Sequence, residues 1–351
     1  MLRRQSALRF EINCRQIWSW PLPVRVGLSR FLQWRFNSTM MRWLPLRAGR
    51  AYLGVMGRIY YFINRKEKQQ ITENISAVIR KLPARKPTDL VIRQTFQGIF
   101  AHYHEKLFTG YCHYKKLCCF LRRYVELENQ HLLDEALRRG RGVILVTGHF
   151  GGVEFLPSTL ALRGYPVTMV VRFKTERLKR TLNRRAQRAG ITLLDANEGE
   201  GVVFKALEAL RSGRILITEC DEFKAWRPQR GRATTFLGHS SPLDRTLNLL
   251  QRRSRSPVVM GMVCRGNGKR YSLKLCSLDR GGEQCEADTV GERALHVLER
   301  FIYLAPHQWY QWKDLRIILG TQIFEKTRPT RALEADRPVS IADSPLHAHQ
   351  A

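Results

Sequence analysis

Apolar positions change their spacing along this chain, and the change marks two kinds of structure. From Gln69 to Leu82 and from Pro87 to Phe108 they recur at helical intervals (Leu90, Ile92, Phe96, Ile99, Phe100, Tyr103), which predicts helices. Beyond that, short uninterrupted aliphatic runs alternate with amphipathic stretches. Tyr124–Leu127, Val143–Thr147, Val167–Val171, Ile191–Asp195 and Ile215–Thr218 are predicted strands. His131–Arg139, Val153–Leu162, Glu176–Ala189 and Gly201–Arg211 are the helices between them. After an irregular stretch, Pro242–Arg253 is predicted helical, with proline in a first-turn position. The last strands, Pro257–Cys264 and Tyr271–Leu278, are joined through the Gly266-Asn267-Gly268 turn. Strands that are apolar throughout, alternating with helices, predict an α/β fold: a mostly parallel sheet covered by helices on both faces, with a helical N-terminal portion.

Composition adds one strong feature. Sixty Lys and Arg stand against thirty Asp and Glu, a formal charge of +30, so an anionic partner is expected. Residues 1–70 hold fourteen basic residues against two acids, together with Trp18, Trp20, Trp34 and Trp43. The most apolar segment, Met40–Asn64, is interrupted by Arg42, Arg47, Arg50 and Arg58, so no spanning helix is predicted. Tryptophan with arginine on an amphipathic segment suits a helix lying in the plane of an anionic membrane surface; a basic-faced helix packed on the soluble body is the alternative. No helix-turn-helix, zinc-finger or aromatic-basic pattern accompanies the charge, so nucleic acid is not expected as a partner.

The eight cysteines include the adjacent Cys118 and Cys119 but no C-x-x-C pair, and no secretory signal precedes them. They are expected to be reduced thiols in the cytosol, with no metal site. No phosphate loop or dinucleotide fingerprint is present, and no cofactor is expected. The expected organisation is a basic, Trp-rich membrane-associating segment (1–66), a helical part (67–122), an α/β domain (123–325) and a disordered tail (326–351).

Candidate chemistry is concentrated in VILVTGHFGGVEFLP, residues 143–157. His149 sits at the carboxyl end of an apolar strand, where ligands gather in open α/β sheets, and Glu154 follows five positions later. The spacing by itself is cheap, because His239 and Asp244 repeat it in GHSSPLD. The strand and the glycines 148, 151 and 152 set the first pair apart, since glycines let a substrate approach the backbone closely. A helix starting near Gly151 would let Glu154 reach back to the imidazole, so that His149 takes a proton from a substrate hydroxyl while the carboxylate fixes its tautomer. Backbone N–H groups of the Gly-rich turn would hold an oxyanion, and Phe150 and Gly151 are expected to contact substrate. The competing reading is a helix N-cap beside a surface glutamate.

GHFGGVE after an apolar strand resembles the His-Phe-Gly-Asn-Trp-Glu signature of the late acyltransferases of lipid A biosynthesis, relatives of the glycerolipid acyltransferases. The likeness runs from about Asn64 to Arg316. VVRFKTERLKRTLNRRAQRAGITLL is similar to the family's Val-Val-x-Arg strand and helix, and implies a substrate-site role for Arg172. LEALRSGRILITECDE is similar to the segment ending in Asp-Gln-Asp, which implies that Glu219 and Asp221 lie beside the active site. APHQWYQWK matches the closing Pro-x-Gln-Trp/Tyr-x-Trp element. Gly152-Val153 stands where Asn-Trp is usual, Cys220 where glutamine is common, and Lys313-Asp314 where His-Arg ends the family's motif. The resemblance implies transfer of a fatty acyl chain, from acyl carrier protein or acyl-CoA, to a hydroxyl of a lipid or glycolipid. His149 is the base and Glu154 its orienter in that reading. It places the enzyme peripherally on the cytoplasmic face of a bacterial inner membrane. A non-catalytic relative and a different lipid acceptor are the alternatives.

Overall fold

The computed structural model describes residues 35–79, 87–173, 176–199, 201–223, 227–268, 270–278 and 289–316. The tail prediction, residues 1–34 of the basic segment and Trp18, Trp20 and Trp34 lie outside the described residues.

Five helices come first: α1 (Arg35–Trp43), α2 (Leu46–Ile63), α3 (Arg65–Ile79), α4 (Thr88–Tyr111) and α5 (Tyr114–Tyr124). The α/β part runs β1 (Val125–Glu128), α6 (Gln130–Arg138), β2 (Val143–Thr147), α7 (Leu156–Ala161), β3 (Val167–Val171), α8 (Glu176–Arg188), β4 (Thr192–Asp195), α9 (Gly201–Arg211) and β5 (Ile215–Glu219). A hairpin of β6 (Pro228–Phe236) and β7 (His239–Asp244) precedes α10 (Thr246–Ser254), β8 (Val258–Arg265), β9 (Tyr271–Ser277) and α11 (Val290–Leu304).

Seven strands form one sheet in the order β1-β9-β8-β2-β5-β3-β4. Every neighbouring pair is parallel except β8 and β9, which run antiparallel from Val259 opposite Ser277 to Arg265 opposite Tyr271. The mostly parallel α/β sheet is therefore as expected. Strand β2 is buried along its whole length because alternate side chains enter two different cores. Ile144 and Val146 pack with α9, α10 and α11, through residues such as Leu210, Leu250 and Leu298. Val143 and Leu145 pack with α5, α6 and α7, through residues such as Leu121, Leu133 and Leu160.

The chain goes from β2 across to β3 and β4, then returns to lay β5 between β2 and β3. The strand order reverses beside β2, and a crevice opens beyond the carboxyl ends of β2 and β5. Helix α4 crosses near that opening, contributing to both cores with Ile99 and Leu107 on one side and Phe108 on the other.

Two expectations need correction. Pro242 does not start a helix: it lies in β7, opposite Ala233, and helix begins only at Thr246. The stretch before it is the β6–β7 hairpin, closed by Leu237 (φ +52°) and Gly238 (φ +72°), a two-residue turn with both φ positive. Leu-Gly lacks the Asn-Gly signature of such turns, and β6, PQRGRATTF, is too polar to mark a strand. Helix α11 carries a complete capping box, with Thr289 and Glu292 each satisfying the other's backbone.

The segment between residues 35 and 66 is helical. Helix α2 buries Leu53, Gly57, Tyr60 and Tyr61. Its outer side exposes Val55, Ile59, Phe62 and Ile63, spaced as one stripe, and Trp43 at the end of α1 is 78% exposed. Among the described residues no helix is long and apolar enough to cross a membrane. The six described cysteines are all free thiols.

Candidate active site

His149 is placed by its neighbours along the chain. Strand β2 ends at Thr147, and Gly148 follows where an added Cβ would lie 2.7 Å from Leu298 of α11. Gly151 takes a φ of +56°, and a Cβ there would meet the Val263 carbonyl oxygen at 1.8 Å, so the loop can only close on β8 with glycine. The Gly151 N–H donates to the Gln308 carbonyl at 2.9 Å, and its own carbonyl accepts from Arg265 Nη2 at 2.6 Å. Arg265 in turn forms a bidentate pair with the fully buried Glu105 of α4, at 2.7 and 2.9 Å. A bidentate guanidinium–carboxylate pair fixes both position and angle.

The imidazole has a carboxylate on each nitrogen. Nδ1 lies 2.8 Å from Oδ1 of Asp221, a residue with no exposed surface. Asp221 also accepts the His149 backbone N–H at 3.0 and 2.9 Å and the Trp309 indole N–H at 2.8 Å. These donors assign the proton to Nδ1. On the other side, Nε2 faces Glu219 Oε2 at 3.4 Å and Glu222 Oε2 at 3.5 Å. Burial works against a charged imidazole, but Glu219, Asp221 and Glu222 outweigh it and hold His149 up at about 10. Burial, with help from the neighbouring carboxylates and opposed by His149, pushes Glu219 up to about 7. The two groups therefore interact electrostatically across Nε2.

The sequence-predicted residues do not all meet His149. Glu154 lies in a 3-10 turn (Val153–Phe155) and aims at α4, with Oε1 3.3 Å from Lys106 Nζ and 3.8 Å from His102 Nε2. The orienting contact expected of Glu154 is made instead by Asp221, because the turn points the glutamate towards α4. Phe150 is 1% exposed and bridges Trp309, and neither it nor Gly151 is among the residues that line the cavity beside His149. The turn's N–H groups are also committed. His149 donates to Asp221, Phe150 to the Gly148 carbonyl, Gly151 to Gln308 and Gly152 to the Val263 carbonyl. The expected oxyanion hole is therefore not in this turn. Arg172 is exposed and lines the cavity, as do Glu219 and Cys220.

That cavity holds about 530 Å³, and His149 is among the residues that line it. Its apolar walls reach both faces of the sheet, through Val146, Leu247 and Leu295 on one side and Met169, Ala186 and Ile191 on the other. Residues missed by sequence reasoning also line it: Lys106, His102, Glu222, Tyr310 and Gln311. The strap that follows α11, Pro306–Leu315, explains two of these. The His149 carbonyl accepts the Tyr310 N–H at 3.3 Å, Tyr310 stacks on His102 at 3.5 Å, and the Gln311 amide lies 3.2 Å from Nδ1. His102 and Lys106 are four residues apart in HYHEK and so share a helix face, which was the available signal.

His149, Glu219 and Glu222 have donor atoms within 4.8 Å of one another, close enough to share a cation. A cation seated there would occupy the Nε2 lone pair that proton abstraction needs.

An imidazole held by a buried carboxylate, in a cavity with apolar walls beyond parallel strands, is an arrangement able to move a proton on a bound group. A family model for bacterial lipid A biosynthesis acyltransferases matches residues 27–314, and the chain belongs to that family. Membership makes the activity that of a lipid acyltransferase, working between an acyl donor and a lipid acceptor. A search of the curated proteins found no match.

Proposed function

We propose that this protein moves a fatty acyl chain from a thioester, carried by acyl carrier protein or CoA, to a hydroxyl of a lipid A-type glycolipid. His149 is the base and Asp221 its orienter. The observation that carries this reading is the Asp221–His149 pair at 2.8 Å, with His149 lining the cavity. Nε2 takes the hydroxyl proton as the oxygen attacks the thioester carbonyl, forming a C–O bond and moving the carbonyl π pair onto oxygen. Collapse breaks the C–S bond, and the departing thiolate takes the proton back from Nε2. The products are an ester and a free thiol. Asp221 stabilises the imidazolium between the two transfers.

The resting imidazole holds a proton through most of the neutral range, so turnover rises as pH rises. Arg172 at the cavity rim is suited to a phosphate of the acceptor or of a phosphopantetheine arm. The exposed stripe of α2, flanked by Arg58 and Arg65, supports peripheral attachment to an anionic surface, with the chain on the cytoplasmic face of the inner membrane. The charge of +30 favours an acidic carrier as donor.

The test uses radiolabelled acyl–acyl carrier protein and acyl-CoA in parallel, with a total lipid extract as acceptor, for wild type and His149→Ala. A labelled lipid made only by wild type is expected. Equal labelling by both proteins would refute the base role, and no labelling by folded wild type with either donor would favour a non-catalytic member of the family.

A further inference from the structure

The committed N–H groups leave the reaction without an electrostatic partner for the oxygen that becomes negative. All four backbone donors from His149 to Gly152 bond protein acceptors, so none faces the cavity free. Charge can instead come from a cationic side chain that lines the cavity. Among the described residues Lys106, Arg172, Arg185 and Lys313 are the lysines and arginines that do so. Arg185 is turned to the end of α4, donating to the Gly110 and Cys112 carbonyls at 3.0 and 2.5 Å. Arg172 is exposed, beyond β3.

Lys106 is placed differently. It lies one helical turn from His102, whose ring stacks on Tyr310 at 3.5 Å; Tyr310 meets the His149 ring edge-on at 5.1 Å. Its ammonium is 3.3 Å from Glu154. Glu154 holds Lys106 above its usual range against the opposing effect of burial, and Glu219 and Glu222, the carboxylates flanking Nε2, add to the effect. The cation thus stays charged and within the field of the reacting centre.

Resting on the acyltransfer reading above, we infer that Lys106 is a further catalytic residue, whose ammonium receives the oxyanion formed on the thioester carbonyl, and that Glu154 acts by holding Lys106 in place. The glutamate of the H-x4-E spacing thereby serves the electrophile's side of the reaction, while Asp221 serves the base. The ammonium donates a hydrogen bond to the carbonyl oxygen as the π pair moves onto it, and keeps its proton when the C–S bond breaks.

The experiment compares wild type, Lys106→Met, Lys106→Arg, Glu154→Gln and Lys106→Met/Glu154→Gln, each checked for folding by circular dichroism and thermal melting. Steady-state rates are measured with the donor and acceptor identified for wild type. Removing one oxyanion donor lowers kcat about 10²- to 10³-fold. Lys106→Met should show that loss with KM for the donor nearly unchanged, and Lys106→Arg should recover part of the rate. Glu154→Gln should be slow by itself yet cost little more once Lys106 is gone, as expected of residues acting as one unit. A folded Lys106→Met with at least half the wild-type kcat would overturn the inference. So would a rise in acceptor KM at constant kcat, which would make Lys106 an anchor for a substrate phosphate, or losses from Lys106 and Glu154 that multiply. Wild type inactive with every donor would instead refute the acyltransfer reading itself.

Discussion

Glu219→Gln should move the pH–rate profile of this enzyme to lower pH. Glu219 Oε2 lies 3.4 Å from Nε2 of His149, and an ion pair at that separation is worth about 5 kcal/mol at an effective dielectric near 20. That would be about 3.6 pKa units at about 1.36 kcal/mol each, an upper bound. Two facts reduce it: Asp221 and Glu222 remain to hold the imidazolium, and Glu219, itself pushed up to about 7, is only partly ionised near neutrality. The expected displacement is about one to two units, within the range seen for one opposite charge at contact. The assay is kcat/KM against pH for both proteins, with the limb that reports loss of the Nε2 proton as the readout. An unmoved limb, or one displaced upward, would refute the placement of Glu219 against Nε2. The same groups set the pH dependence of folding. His149 is raised from 6.5 to about 10, so its contribution is fully present below about 6.5 and is lost as pH rises through about 10. Glu219, raised from 4.5 to about 7, binds its proton more tightly in the fold, so ionising it also lowers stability as pH rises. Wild-type melting temperature should therefore fall between pH 7 and 10.5 by more than that of Glu219→Gln.

Two other perturbations test the frame around the site. Gly151→Ala should lower stability by about 3 kcal/mol, combining a left-handed backbone with overpacking against the Val263 carbonyl; a thermal melt within about 1 °C of wild type would refute this. Ile59→Glu with Phe62→Glu should weaken co-sedimentation with anionic vesicles by about tenfold or more, since burying one such side chain is worth about 1.5–3 kcal/mol. Wild-type binding should also fall with added salt, and undiminished binding by the double variant would move the contact elsewhere.

How far the sequence revealed this arrangement depended on the range of each interaction. Val143–Thr147 was legible because a strand buried on both faces must be apolar at every position. The β6–β7 hairpin was not, because its turn places a leucine at positive φ, where tertiary packing overrides local preference: Leu237 is buried and its N–H is held by Glu299 of α11. Helix α11 had a readable start in Thr289 and Glu292, four positions that spell a capping box, but no strand pattern drew attention to it. At the site, His149 stood out through its strand and glycines, while Glu219 and Asp221 came only through family likeness. The side-chain direction of Glu154 was hidden. A separation of five residues is compatible with either side of a turn, and a 3-10 turn selects the side facing Lys106. Backbone N–H partners were equally hidden, since Val263 and Gln308 are distant in sequence from the loop they satisfy.

The strap Pro306–Leu315 carries a consequence for how the enzyme comes into being. Trp309 closes the shell of donors around Asp221, Gln311 stands beside the imidazole, and the Trp312 carbonyl takes the Asn74 amide of α3 at 2.7 Å. A chain emerging from the ribosome has His149 and Asp221 long before it has these residues. Until the strap is threaded against α3 and the histidine loop, Asp221 lacks its indole partner and the imidazole its outer support. Assembly of the site thus waits on residues made long after His149 and Asp221. A chain that has not yet reached Pro306 also lacks Tyr310 and Gln311, so the wall of the cavity and the support of the histidine are completed together.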